Sequence, residues 1–213
     1  MRGTSYCSWF GITCGSGGTA IVGLSLVDAG VGAWPASVSG LQYLQSFYYE
    51  AASASGNASA VGSLPAGMAS WTALTSLSIS CRKMPTCFTG ALDVVSSSSS
   101  LKSLSLQGMS AIGAPASWSL TSLTSLRLRN TPALGGVLPS PPQLTTLDVE
   151  SANFSSVSAL PSGLRSIAIS DTPLAGTFPS LGALLNLSSI VVSGTLLSGA
   201  LPDDVCGVLN PHT

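Results

Sequence analysis

The sequence predicts an α/β solenoid. It is an arc of about eight repeats, each giving one short strand to a parallel sheet on the concave face and returning along an irregular or 3-10 convex side. Two observations carry this prediction. One is an apolar frame, Leu-x-x-Leu-x-Leu or a close variant, that recurs along the 213 residues. With Leu24, Phe47, Leu77, Leu104, Leu126, Leu147, Ile167 and Ile190 as anchors, successive copies lie 23, 30, 27, 22, 21, 20 and 23 residues apart. The other is a second element, Gly-x-(Leu, Phe or Trp)-Pro, placed a short and regular distance after most anchors.

The first copy, Ile21-x-x-Leu24-x-Leu26, lacks the leading leucine. Leu41-x-x-Leu44-x-x-Phe47-x-Tyr49, Leu74-x-x-Leu77-x-Ile79, Leu101-x-x-Leu104-x-Leu106 and Leu123-x-x-Leu126-x-Leu128 follow. Leu144-x-x-Leu147-x-Val149, Leu164-x-x-Ile167-x-Ile169 and Leu187-x-x-Ile190-x-Val192 complete the series. In each copy the last two apolar residues flank a single position, which predicts a short strand with both on one face. One such strand cannot bury that face alone. Stacked at about 4.8 Å the copies share a continuous core, and eight of them make an arc roughly 35–40 Å long.

The second element reads Gly32-Ala-Trp34-Pro35, Gly62-Ser-Leu64-Pro65, Gly136-Val-Leu138-Pro139, Gly176-Thr-Phe178-Pro179 and Gly199-Ala-Leu201-Pro202. Glycine permits the turn off the strand and proline fixes the return path. Gly90-Ala-Leu92-Asp93 keeps the frame without the proline. The 30-residue copy carries EAASASGNASAVG, small and polar, which predicts a surface loop. The run from Ser96 to Ser100 predicts a turn on the outer side.

Composition narrows the function classes. Only 7% of residues are charged, against a usual share of about 25%, so solubility rests on Ser, Thr and Gly or on attached sugars. The net charge of -1 offers no basic surface for nucleic acid or an anionic membrane. The 45% hydrophobic content, regularly spaced, is enough for one core and excludes disorder. The most apolar window, 21–34, is interrupted by glycines and Asp28, which excludes membrane insertion by this segment. Met1 to Tyr6 lacks the apolar stretch of a signal peptide, while five cysteines point to an oxidising compartment. We therefore expect a fragment, with a leader, a C-terminal part and any lipid or transmembrane anchor lying outside it.

The frame and the Gly-x-Leu-Pro element together resemble the leucine-rich repeats, plant-type subclass, over essentially the whole chain. That family usually carries Asn five positions after the anchor, where its amide bonds neighbouring turns. Here those positions hold Ala29, Ala52, Arg82, Met109, Thr131, Ala152, Thr172 and Thr195, and the threonines are expected to form a shorter ladder. Threonine at that place, with SGALP and MASWTALTSLSI, is similar to the promastigote surface antigens of kinetoplastid protozoa. That resemblance implies a cell-surface glycoprotein, often lipid-anchored.

Cys7 and Cys14 flank Trp9 in C-x-W-x-G-x-x-C, which resembles the N-terminal cap preceding plant-type repeats. The resemblance implies a disulfide, worth roughly 2.5 kcal/mol on the chain-entropy model, with Trp9 over the first core layer. A metal site needs more ligands, and His212, the one histidine, lies at the far end. Residues 1–20 are read as the cap, 21–205 as the solenoid and 206–213 as a truncated C-terminal end. Cys81 and Cys87 fall in the 27-residue copy and are read as a second local disulfide stapling an insertion. The competing reading there is a binding loop, because Arg82 and Lys83 are adjacent. Cys206 is left over, which fits truncation. Asn57, Asn153 and Asn186 open glycosylation sequons.

Residues between the core positions point onto the concave face. The first column there reads Ser25, Tyr48, Ser78, Ser105, Arg127, Asp148, Ala168 and Val191. The second reads Val27, Glu50, Ser80, Gln107, Arg129, Glu150, Ser170 and Ser193. In adjacent strands Arg127 stands beside Asp148, and Arg129 beside Glu150. Surface pairs of this kind are worth about 0–1 kcal/mol each, so they either neutralise one another or form a recognition patch for a protein or glycan ligand. Tyr48, Glu50 and Gln107 extend the candidate surface.

Catalysis finds no support. No base accompanies a Ser or Cys nucleophile, no phosphate loop follows a strand, and the arginines beside Asp148 and Glu150 disfavour a general acid. No cofactor is implied. The expected function is non-enzymatic recognition at the cell surface or outside the cell. The alternatives are a passive glycosylated coat, an ice-binding face, or the ectodomain fragment of a receptor.

Overall fold

The computed structural model describes residues 6–28, 36–51, 62–82, 87–96, 98–157, 159–177 and 180–199. The motif at Gly32–Pro35, the loop with Asn57, Lys83, Phe178-Pro179, Cys206 and His212 lie outside the described residues.

Among the described residues thirteen strands follow one another. They are β1 (Ile12–Cys14), β2 (Ile21–Val27), β3 (Ser46–Glu50), β4 (Ser76–Ser80), β5 (Thr89–Ala91), β6 (Ser103–Gln107) and β7 (Ala111–Gly113). The rest are β8 (Ser125–Leu138), β9 (Thr146–Val157), β10 (Ser166–Ser170), β11 (Ala175–Thr177), β12 (Ser189–Ser193) and β13 (Leu196–Ser198). Nine form one sheet in the order β1-β2-β3-β4-β6-β8-β9-β10-β12. From β2 onward every pairing is parallel. The eight anchors lie directly opposite one another in a single row from Leu24 to Ile190. One strand per repeat, in the frame read from the sequence, is therefore the organising unit.

The alternation within each strand sorts its side chains. In β4, β6 and β10 the anchor and the residue two further on are buried, and their neighbours are half-exposed. The leucine three places before the anchor is buried as well, at Leu44, Leu74, Leu101, Leu123, Leu144, Leu164 and Leu187. These three rows, with Phe88, Leu92, Leu134 and Phe154 from the return side, make one continuous core. Trp71 completes it between two turns, with its ring 5.4 Å from Phe47 and its indole N–H donating to the Val38 carbonyl at 2.9 Å.

The convex side is more ordered than the sequence suggested. It holds 3-10 turns at Ala36–Gly40 and Ala66–Ser70 and one short α-helix, Asp93–Ser96. It also carries further parallel pairings: β5 with β7, the far halves of β8 and β9, and β11 with β13. The return segments after the Gly-x-Leu position follow one another turn by turn, so their backbones come into register at strand spacing, with Gly90 opposite Ile112 and Gly136 opposite Phe154. Gly62, Gly90, Gly136, Gly176 and Gly199 take φ between 88° and 100° there, which places the motif glycine where an L side chain is strained.

A second row of bends follows the anchor segment in six of the copies. Four residues after the anchor the backbone is left-handed at Asp28, Gly108, Asn130, Ser151, Asp171 and Gly194, with φ from 48° to 70°. Ala51 and Cys81 occupy the equivalent places in the other two copies, do not make this bend and are buried. Those are the two copies with insertions, so the chain path diverges at the end of the strand itself.

The N-terminal end is closed by β1, which runs antiparallel to β2 with Ile12 opposite Leu24. Cys7 and Cys14 are bonded with their Cα atoms 5.6 Å apart, holding the preceding 3-10 turn Tyr6–Ser8 against this strand. Trp9 corrects an expectation. It is 58% exposed and does not cover the first core layer. The tight bend from Trp9 to Ile12, closed by the Ile12 N–H on the Trp9 carbonyl, turns Trp9 and Phe10 outward and leaves the covering to β1.

Candidate functional site

The open face of the sheet carries the columns between the core rows. The pairings set Ser25, Tyr48, Ser78, Ser105, Arg127, Asp148, Ala168 and Val191 side by side, and Val27 through Ser193 likewise. A third column precedes the anchors: Ser46, Ser76, Ser103, Ser125, Thr146, Ser166 and Ser189, seven hydroxyls on seven consecutive strands. The sequence expectation did not include it, although Ser or Thr stands directly before seven of the eight anchors, Gly23 preceding the first.

The central charges are arranged differently from their register. Arg127 Nε donates to Asp148 Oδ2 at 2.9 Å. Arg129 is opposite Glu150 in the ladder, yet its Nη2 donates to Asp148 Oδ2 at 2.7 Å, while the nearest Glu150 oxygen is 3.7 Å from its Nε. Asp148 is thus gripped from two sides, and its side chain is only 11% exposed against 53% for Arg127 and 38% for Arg129. The bond to Asp148 raises the Arg129 pKa above its usual value. A carboxylate beneath two guanidinium groups fixes their directions and leaves their outer edges, with Glu150, facing solvent.

At the N-terminal side Tyr48 and Glu50 form a second unit, in which the phenol donates to the Glu50 carboxylate. That bond raises the Tyr48 phenol above the usual tyrosine range, with burial adding to it. Between the two units Gln107 Oε1 accepts from Arg82 Nε at 2.9 Å. Cys81 and Cys87 are bonded and fully buried, which pins the backbone at Arg82. Asn153 on β9 and Asn186 in the turn before β12 are both exposed.

No family model matches the chain, and no curated protein matches it. Solved structures do. The plant peptide hormone receptor RGFR1, in complex with RGF2, superposes with a TM-score of 0.59 at 18% identity, over 95% of this chain and 36% of that one. The LRR ectodomain of the Arabidopsis receptor kinase HAESA, in complex with an N-terminal extended IDA peptide hormone ligand, gives 0.57 at 21% identity, over 96% and 39%. A plant ice-binding protein gives 0.51 at 18% identity, over 95% and 81%. The fold is that of a leucine-rich repeat protein.

Within this leucine-rich repeat solenoid the threonine ladder lies elsewhere than expected. Thr131 and Thr172, at the family's asparagine position, are buried with no partner for their hydroxyls. The hydroxyls that do link turns sit two places before the anchor. Thr75, Thr124, Thr145 and Ser188 each donate to the carbonyl of the equivalent residue one turn back, at about 3.0 Å. The chain spans between a third and a half of the receptor ectodomains it superposes on. Among the described residues no helix is long and apolar enough to cross a membrane.

Proposed function

We propose that this solenoid is a non-catalytic extracellular recognition module that binds a protein or glycan ligand on its concave face. The block of Arg127, Arg129, Asp148 and Glu150 is the centre of that site. Tyr48, Glu50 and Gln107 extend it. The observation that carries this reading is the grip of two arginines on one nearly buried carboxylate, which holds charged groups in fixed directions on an otherwise small and polar surface. Two local disulfides and the exposed sequons at Asn153 and Asn186 support an extracellular, glycosylated setting. The peptide hormones bound by the RGFR1 and HAESA ectodomains support a protein ligand.

A random dodecapeptide library displayed on phage tests this. Peptides selected on the unmodified protein should lose at least about ten-fold in affinity when Arg127, Arg129, Asp148 and Glu150 are all reversed in charge. Arg127→Gln alone, which removes the charge while keeping a donor for Asp148, should weaken them too with a smaller loss of melting temperature than the full reversal. Peptides that bind both variants undiminished sink the concave site, and a selection that enriches nothing leaves the passive coat.

One observation favours a second reading. Seven hydroxyls at strand spacing form a regular row, as an ice-binding face requires, and a plant ice-binding protein is among the structural neighbours. The adjoining columns mix Arg, Asp, Glu and Tyr, which breaks the flatness such a face needs. Thermal hysteresis of the purified protein separates the two.

A further inference from the structure

We propose that a groove along the rim of the sheet, beside Arg82, is a binding site for an acidic side chain of an extended peptide. It rests on the recognition reading for its context and shares only Gln107 with the concave site proposed above.

The groove encloses about 540 Å³, within the range of ligand-sized clefts. It is lined by Arg82, Gln107, Gly108, Asn130, Pro132 and Ser151 among others, and so runs from the ends of β4 and β6 to the bends within β8 and β9. The row of left-handed bends explains why it is there. Gly108 just after β6, and Asn130 and Ser151 within β8 and β9, take the left-handed bend, whereas Cys81 does not, and its bond to Cys87 fixes that departure. Arg82, the next residue, is exposed and lines the groove together with residues of the next three turns. Gly108 keeps the trough tight, since a Cβ there would lie 2.6 Å from the Cys81 carbonyl oxygen.

The chemistry of the lining selects the ligand. It offers a guanidinium, two side-chain amides and hydroxyls, and no carboxylate. Arg82 is exposed and oriented by its bond to Gln107 Oε1, which also turns the Gln107 amide donors away from that bond. A fixed cation surrounded by neutral donors suits a carboxylate and repels an ammonium. Three strand spacings of about 4.8 Å give a groove roughly 14 Å long, which an extended chain covers in about four residues.

The probe is a capped tetrapeptide, acetyl-Ala-Glu-Ala-Ala-amide, titrated into the isotope-labelled protein in the millimolar range and followed by NMR. The Gln107 and Asn130 side-chain amides and the Gly108 N–H should shift, with affinity at least about five-fold above that of the Gln and Lys analogues. Arg82→Lys should keep the preference for the acid, and Arg82→Glu should transfer it to the Lys analogue. Arg127→Glu should leave these shifts in place, which separates the groove from the concave block. Shifts that are absent, that are equal for the Lys analogue, or that survive Arg82→Glu overturn the proposal. Shifts abolished by Arg127→Glu but indifferent to Arg82 overturn it as well and return the acid to the concave site.

Discussion

Two kinds of hydroxyl recur at fixed places in the repeats of this solenoid, and their energetics differ in sign. The Thr124 hydroxyl joins two backbone N–H groups on the Lys102 carbonyl, so three donors converge on one acceptor and tie adjacent turns. Thr131 is fully buried and its hydroxyl has no partner. Removing a made bond costs about 0.5–1.5 kcal/mol, whereas removing a buried unpaired hydroxyl relieves its desolvation. Thr124→Val should therefore lower stability by about 1 kcal/mol, and Thr131→Val should leave it unchanged or raise it by a similar amount. Urea denaturation of both variants checks this, and equal losses would show that Thr131 does find a partner. Residue type alone did not distinguish the two places in the sequence. Only the chain path decides which threonine meets a carbonyl. Arg129 shows the same limit: register placed it by Glu150, but a long side chain reaches the diagonal neighbour Asp148.

At the level of the repeat, the bend four residues after the anchor governs where the chain goes next. Regular copies place Asp, Gly, Asn or Ser there, and the two lengthened copies place Ala51 and Cys81. Gly108 is the most constrained member of this row, with φ of 70° and no room for a Cβ beside Cys81. Gly108→Ala should cost more than about 2 kcal/mol, because backbone strain and a clash with backbone act together. Gly113→Ala, whose Cβ would sit 3.4 Å from its nearest neighbour at an ordinary φ, should cost less than about 1 kcal/mol. Comparable losses in thermal denaturation would remove the distinction between the two positions. The sequence carried this signal in its choice of Gly, Asn and Asp, but the bend was not read from it. The apolar frame was fully legible because each anchor depends only on burial, while a bend depends on what the next turn leaves open.

Across the whole molecule, stability is a chain of nearest-neighbour interfaces, so position along the arc sets how much a core residue contributes. Leu126 is fully buried between two turns, and Ile190 is only partly covered. Leu126→Ala should cost about 2–5 kcal/mol and Ile190→Ala clearly less, as read by the denaturation midpoint. Equal costs would mean that the described last strand is covered as well as the central ones. The eight-fold frame, the parallel sheet and its central charges followed from the sequence because they repeat or stand in register. The exposure of Trp9 did not, because the cap occurs once and has no second copy to compare with.

The direction of β1 has a consequence for growth and self-association. A parallel array of identical units is open at both ends and presents unpaired backbone to any strand that meets it. By running against its neighbours and occupying the free edge of β2, β1 removes that edge from pairing with another molecule. A new repeat duplicated upstream of β2 would have to displace a disulfide-held strand of opposite polarity. Additional turns are accommodated without that conflict between existing ones, so the array grows from within rather than at its N-terminal end.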